Sequence, residues 1–314
     1  MTPLATILEP GLSTTLQDLG RRGKRHQGVP LSGAADPVSL ALANASLGNP
    51  PNAAALECTL KGSALRFEKK ISFALAGADM TPRLNGEPAP LYRRIEGKAG
   101  DMLVLGAANA GARCYIAFEG GFSGDDFLGS VSTYLAAGLG GIEGRALSSG
   151  DVLASAELQT TAPRDVPRPM QTMLSRSFVL RATAGPEAGL LEDDSEHFFT
   201  MRWAVGRRAD RMGAELDGPR LHMREEITMA SSPVFPGTVQ CPRSGAPFLL
   251  MADAQTVGGY PRIAQVIGAD LHLTGQLRPG DEVWFRKTSP AEARDIARKK
   301  EALFEGWLPQ GLFT

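Results

Sequence analysis

The apolar residues of this chain come in short runs, about three to six residues long, and nearly every run is closed off by glycine, proline, aspartate or asparagine. Runs of that length suit β-strands, which bury alternate residues and end at turns, better than amphipathic helices. Ala64–Phe67, Ile71–Leu75, Met102–Leu105, Cys114–Phe118, Val152–Ala154, Ser177–Arg181, Phe248–Met251 and Glu282–Phe285 read as strands. The punctuation is dense: 36 glycines and 22 prolines among 314 residues, against about 12% for the two together in average usage. Strands so short and so often interrupted fit barrels or sandwiches rather than a parallel sheet. The expected fold class is mainly β.

Two helices stand out. Asp36 supplies an N-cap, Pro37 a first helical residue and Gly48 a left-handed stop around Val38 to Leu47. Ser289-Pro290-Ala291-Glu292 is a capping box opening a second helix that runs towards Gly306 and packs as a C-terminal lid. A Gly-Asp turn feeding an apolar strand occurs at Gly100-Asp101, Gly150-Asp151 and Gly280-Asp281; it hints at duplication, although Gly-Asp is also ordinary turn chemistry. Ser155 to Met170 is polar and proline-rich, as in a stiff linker. These boundaries divide the chain into a β domain over 1–165, a second over 171–288 and a helix over 289–306.

Charge narrows the function classes. Lys and Arg total 33, Asp and Glu 34, for a net charge of −1, so neither nucleic acid nor an anionic membrane is an expected partner. One local basic cluster, Arg21, Arg22, Lys24 and Arg25, remains. Cys58, Cys114 and Cys241 are too far apart in sequence for a CxxC pair and read as buried free thiols. The first residues lack the basic and apolar regions of a signal peptide, and the uncharged stretch Phe127 to Ile142 is broken by Gly, Ser and Thr. A cytoplasmic protein is the expectation.

Several chemistries lack their motifs. Gly20-Arg21-Arg22-Gly23-Lys24-Arg25 has neither the spacing nor the hydroxyl of a phosphate loop, so a nucleotide needs another site or another subunit. The glycines of 138–144 miss the last position of a dinucleotide fingerprint. His26, His197, His222 and His272 have no partner at ligand spacing, so no metal is expected. There is no GxSxG elbow.

Four polar, glycine-rich segments remain. In the first, Gln17, Asp18 and Arg21 lead to Gly28-Val29-Pro30 and Ser32-Gly33; a guanidinium there suits a carboxylate, a phosphate or an oxyanion, and an Asp18–Arg21 pair in a solvated loop is the plain alternative. The second carries Ser130, Ser132, Thr133 and Tyr134 beside flexible backbone, or forms a barrel corner. The third is Asp210-Arg211, an ordinary surface pair if it stands alone. The fourth is the densest: Gln240, Asp253, Gln255, Gly258, Gly259, Tyr260 and Arg262, spaced along strand ends that meet at a barrel mouth, or else a self-stabilised turn. Neutral amides with an arginine suit a urea-like or lactam group, which offers both donor and acceptor.

With TTLQDLGRRG, GVPLSGAADP, GSVSTYLAAGLGGIEGRAL, DRMGAELDGP, PGTVQCP and QTVGGYPRIAQV in this order, the chain resembles the family called allophanate hydrolase subunit 2, or biotin-dependent carboxyltransferase domain, which includes the C subunit of 5-oxoprolinase. The resemblance runs from about Leu8 to Phe285. It departs at Val131, where the family usually has Arg, and at Ala209, where Ser is common.

The resemblance implies two cyclophilin-like β-barrel domains and a partner, a B-type subunit like allophanate hydrolase subunit 1. For 5-oxoprolinase it also implies a lamB/YcsF-like A-type subunit and ATP-driven opening of a lactam to glutamate, with ATP held in the complex, on this chain or on a partner. On that reading ATP activates the lactam oxygen and water attacks the carbonyl carbon. Arg21, Arg211 or Arg262 would stabilise an oxyanion or phosphate, Asp18 or Asp253 would act as base, and Gln17, Ser32, Tyr134, Gln240, Gln255, Gly258, Gly259 and Tyr260 would bind substrate. Two alternatives stand beside it: a carboxyltransferase using carboxybiotin carried by another protein, since no biotinyl-lysine segment occurs here, and a non-enzymatic regulator antagonising an inhibitor of a histidine kinase.

Overall fold

A computed structural model of the chain describes residues 3–191, 194–223 and 229–313. It divides into two compact units. The first comprises Met1–Arg22, Ser32–Leu174 and Gly306–Pro309; the second comprises Gly23–Leu31, Ser175–Glu305 and Gln310–Thr314. Against the linear expectation of domains over 1–165 and 171–288 and a helix over 289–306, the stretch read as a linker and residues 171–174 count with the first unit, while the short segment 23–31 and the C-terminal helix count with the second.

The proline-rich stretch is docked rather than free. Thr161 N–H donates to Gly48 O at 2.7 Å and Arg164 Nη2 donates to Gly306 O at 2.7 Å, with the Arg164 guanidinium 4.0 Å from the Trp307 ring centroid. Gly48, at φ 72°, has no room for a side chain, because a Cβ would lie 2.1 Å from Thr161 O.

The first unit is built from two antiparallel sheets. One orders Val152–Ala154, Pro3–Glu9, Ala64–Phe67, Met102–Val104, Arg83–Leu84 and Glu87–Pro88; the other orders Ser13–Gln17, Ala55–Thr59, Arg113–Phe118, Ile71–Gly77 and Arg94–Gly97. Leu4, Ile7, Leu65, Phe67 and Leu103 from one sheet share a core with Leu16, Leu56, Phe73, Leu75, Ile116 and Phe118 from the other. Phe67 meets Phe73 and Phe118 edge-on at 5.3 and 5.6 Å, the arrangement the aromatic quadrupole favours. The chain passes between sheets at Gly11, φ 72°, where a Cβ would lie 2.4 Å from Lys61 O. The Pro37–Ala45 helix is buried from Val38 to Ala45, which is why its apolar residues show no single stripe. Asp36 caps it, accepting from Ser39 N and Ser39 Oγ at 3.0 and 2.6 Å.

The second unit is a closed barrel in the order Ser177–Ala184, Arg262–Val266, Thr238–Gln240, Phe248–Leu250, Gly213–Asp217, Arg202–Ala209 and Glu282–Lys287. Closure joins the first and last of these strands in parallel, Phe178 opposite Val283 and Leu180 opposite Phe285. Along Ser177–Ala184 the side chains of Phe178, Leu180 and Ala182 are buried while Val179 is exposed, the period-2 signature of a strand with one face inward. Trp203, fully buried, donates its indole N–H to Phe198 O at 3.1 Å, which satisfies the one polar atom it brings into the core. The Pro290–Leu303 helix begins with the expected capping box at Ser289. It buries Ala297, and Lys300 Nζ donates to Ala269 O at 2.7 Å.

The three Gly-Asp turns share one construction. Gly100, Gly150 and Gly280 lie at φ 87°, 90° and 84°, a region open to glycine without strain. Their N–H groups donate to Phe67 O, Ile7 O and Val205 O, each at 2.8 Å. Asp101, Asp151 and Asp281 accept from the backbone N–H three residues upstream, at Lys98, Ser148 and Arg278. The recurrence is one turn construction used before three strands, Met102–Val104, Val152–Ala154 and Glu282–Lys287.

Candidate active site

In the first unit, Asp18 is the hub of the first two polar segments. Its carboxylate accepts from Gly20 N at 2.7 Å, Ser130 Oγ at 2.6 Å, Ser132 Oγ at 2.5 Å and Val131 N at 3.0 Å, and its own N–H donates to Ser132 Oγ at 3.0 Å. Three of these donors meet Oδ1 and only Val131 N meets Oδ2, so the carboxylate fastens loop 129–133 to the end of strand Ser13–Gln17 and still has a lone pair on Oδ2 for the expected role as base. Arg21, 1% exposed, donates from Nε to Phe127 O at 2.9 Å and from Nη2 to Ser132 O at 2.5 Å. These bonds go to backbone carbonyls rather than to Asp18, so the solvated Asp18–Arg21 pair gives way.

Gln17, fully buried, donates to Thr15 Oγ1 and Thr133 O at 2.9 and 3.1 Å, while its Oε1 has no hydrogen-bond partner among the described residues. Ser32 is held at φ 51° with its buried hydroxyl also unpartnered among them. Left-handed backbone at a non-glycine residue is costly and clusters at functional positions. Tyr134 follows the clasped loop, its N–H donating to Leu139 O at 2.8 Å. Val131, where the resembling family carries Arg, packs its side chain against the hydrophobic core.

In the second unit the expected arginines have carboxylate partners. Arg211 donates to Asp253 through Nε at 2.8 Å and Nη2 at 3.0 Å, with side chains 10% and 4% exposed. Arg262 forks onto Glu187 through Nε at 2.8 Å and Nη2 at 2.6 Å, and its Nη1 donates to Pro233 O at 2.9 Å. The bonds from Arg262 hold the Glu187 carboxyl below the usual carboxylate range. Bidentate pairs of this kind fix loops in register. Both guanidiniums are therefore engaged by carboxylates, and Asp253 is paired with Arg211.

The amides do come together. Gln240, 2% exposed, donates from Nε2 to Tyr260 O at 3.1 Å and accepts from Gln255 Nε2 at 3.3 Å. Gly258 closes over the pair: a Cβ there would lie 2.7 Å from Gln240 Nε2. Gln255 makes no other side-chain hydrogen bond among the described residues, so its Oε1 and its second N–H remain to meet a ligand. Phe235, Val257 and Tyr260, near it in the chain or on the facing ribbon, are each more than half exposed. Gly259 is exposed beside them.

Sequence reading missed Glu187, since nothing local distinguishes it from other surface acids. It also passed over the buried group at the start of the Pro37–Ala45 helix, where Tyr115 Oη donates to Glu57 Oε2 at 2.7 Å and Arg113 lies 3.4 Å from Glu57 Oε1. A charged residue inside an apolar strand was the available signal. Among the described residues no group of three His, Cys, Asp or Glu is placed to hold a metal ion, and no helix is long and apolar enough to cross a membrane.

The second unit is a β-barrel carrying a hydrogen-bonded carboxamide pair and two arginine–carboxylate forks. The chain belongs to the carboxyltransferase domain family, subdomain A and B, which it matches over residues 27–287. It is 37% identical over 298 residues to the C subunit of 5-oxoprolinase from Haemophilus influenzae, covering 94% of each chain. It is 36% identical over 304 residues to that of Escherichia coli K12, covering 95% of this chain and 96% of the other. The structure superposes on the Kluyveromyces lactis urea carboxylase with a TM-score of 0.91 at 30% identity, over 99% of this chain but 30% of that longer one.

Proposed function

We propose that this chain is the C subunit of an ATP-dependent 5-oxoprolinase, acting with A-type and B-type subunits to open 5-oxoproline to glutamate. The observation that carries the reading is the end-to-end match with two chains named as the C subunit of 5-oxoprolinase, which leaves almost nothing of either relative uncovered. The urea amidolyase of Lachancea kluyveri, at 31% identity, is covered over only 18% of its length.

The amide pair supports it chemically. A lactam holds N–H and C=O on the same side, so Gln255 Oε1 can accept the ring N–H while its remaining amide N–H donates to the carbonyl oxygen. Opening the ring breaks the C–N bond, adds the water oxygen to carbon and delivers protons to the leaving nitrogen, with ATP cleaved to ADP and phosphate. Arg211 and Arg262 already have carboxylate partners, so within the second unit they brace the loops that carry the amide pair, while Arg21 holds backbone carbonyls of the first unit. Asp18 and Asp253 serve as clasp and ion-pair partner.

The test is reconstitution with the A-type and B-type subunits and measurement of glutamate formed from 5-oxoproline with and without ATP. Glutamate that depends on both ATP and this chain supports the proposal. A complex that instead consumes bicarbonate in a biotin-dependent way supports the carboxyltransferase reading, which the 0.91 superposition on urea carboxylase keeps in view.

A further inference from the structure

We infer that Arg25 is a positioning residue that sets the geometry of the Gln240–Gln255 amide pair; the inference rests on that pair being the amide-recognising face. Arg25 stands in a short turn, Arg25–Gln27, closed by Gly28 at φ 78°, whose N–H donates to Arg25 O at 3.0 Å. From there its guanidinium Nη2 donates to Val234 O and, at 3.2 Å, to Gln255 O, while the plane lies 5.3 Å from the Phe235 ring centroid. Val234 N–H in turn donates to Thr256 O at 3.1 Å. One guanidinium therefore bridges the two backbone strands from which Phe235 and Gln255 project, and Arg262 Nη1 ties the same ribbon at Pro233.

Such an arginine is an expensive way to stabilise a turn. Its Nη1 is buried with no hydrogen-bond partner among the described residues, and a desolvated, unsatisfied donor opposes folding. An apolar side chain on Phe235 would pack without that cost. What an apolar side chain cannot supply is a fixed donor on Gln255 O, and that carbonyl lies next to the Cα that aims the Gln255 carboxamide. The residue comes from a segment distant in sequence yet belongs to the same compact unit as the amides.

The experiment uses the reconstituted complex with Arg25→Ala, Arg25→Lys, Gln255→Ala and the Arg25→Ala/Gln255→Ala double variant. Arg25→Ala should raise KM for 5-oxoproline about tenfold with kcat within about twofold, the signature of lost ground-state alignment. Arg25→Lys, which supplies a point donor without the fork, should fall between. In the Gln255→Ala background there is no carboxamide left to aim, so removing Arg25 should change KM by less than about twofold. Effects that multiply in the double variant, or an unchanged KM in Arg25→Ala, overturn the inference while leaving the proposed function intact.

If the wild-type complex does not turn over 5-oxoproline, the function fails and the inference is read on the isolated chain instead. The ¹⁵N side-chain amide peak of Gln255 should move in Arg25→Ala towards its position in Gln240→Ala. A peak that stays at its wild-type position overturns it.

Discussion

Replacing Gly258 by alanine puts a methyl group 2.7 Å from Gln240 Nε2. Ordinary van der Waals contact begins at about 3.4 Å, so the amide must retreat by roughly 0.7 Å. The backbone at Gly258 is outside the left-handed region, and alanine there carries no conformational penalty; the smaller entropy of its unfolded chain even favours folding by about 0.4–1 kcal/mol. The cost falls on the amide pair. Gln240 Nε2 is 3.1 Å from Tyr260 O and its Oε1 is 3.3 Å from Gln255 Nε2, so a retreat of that size carries one or both bonds beyond hydrogen-bond range. At about 0.5–1.5 kcal/mol per bond the loss is roughly 0.5–3 kcal/mol of alignment, or more than about twofold and up to about 150-fold in kcat/KM. Steady-state kinetics of the reconstituted complex with 5-oxoproline, beside the melting temperature of the isolated chain, measures the loss of alignment and the change in stability separately. A Gly258→Ala protein that melts like wild type and keeps its kcat/KM within about twofold would refute the placement of the amide pair at the substrate.

Asp18→Asn replaces one oxygen of a four-donor clasp with an NH₂ group facing other donors; calorimetry should show a loss of about 2–3 kcal/mol, and an unchanged transition would mean the clasp contributes nothing. Ser289→Ala removes the N-cap of the Pro290–Leu303 helix and should cost about 1 kcal/mol in denaturant unfolding. His272 is buried with Lys300 Nζ 3.2 Å from its Nε2, and burial, with the charges of Lys300 and Arg181, pushes its pKa well below the usual imidazole value. The unfolded chain then binds the proton first, so stability from neutral His272 is present above about pH 6.5 and falls as pH drops, by at most about 1.4 kcal/mol per pH unit. Unfolding at pH 7.5 and 5.5 should show this slope in wild type and a shallower one in His272→Gln; equal slopes would remove His272 as its source.

Much of the fold was legible because its signals are local. Strand Ala64–Phe67 and strand Val152–Ala154 begin and end where the apolar runs do, since polar or turn-forming residues flank each run. The caps at Asp36 and Ser289 were equally plain, because a cap is settled by side chains within three residues of the helix start. The candidate site was legible only as a set of segments. Gln240, Gln255, Gly258 and Tyr260 do meet, but the carboxylates and guanidiniums singled out with them turned out to hold one another or the backbone. Which partner a charged side chain takes depends on what the fold places within about 3 Å, and Glu187, 75 residues from Arg262 in sequence, leaves no local trace of its role.

The sequence by itself determined the β class, the helix starts, the family and the chemical character of the polar segments, all of which follow from residue type and short-range spacing. Only the tertiary structure decided that Asp18 fastens a loop, that Arg211 and Arg262 are neutralised, that the 155–170 stretch is docked, and that Arg25 sits behind the amide pair. Those outcomes rest on contacts between residues from distant parts of the chain, where burial and hydrogen-bond geometry, rather than composition, select the partner.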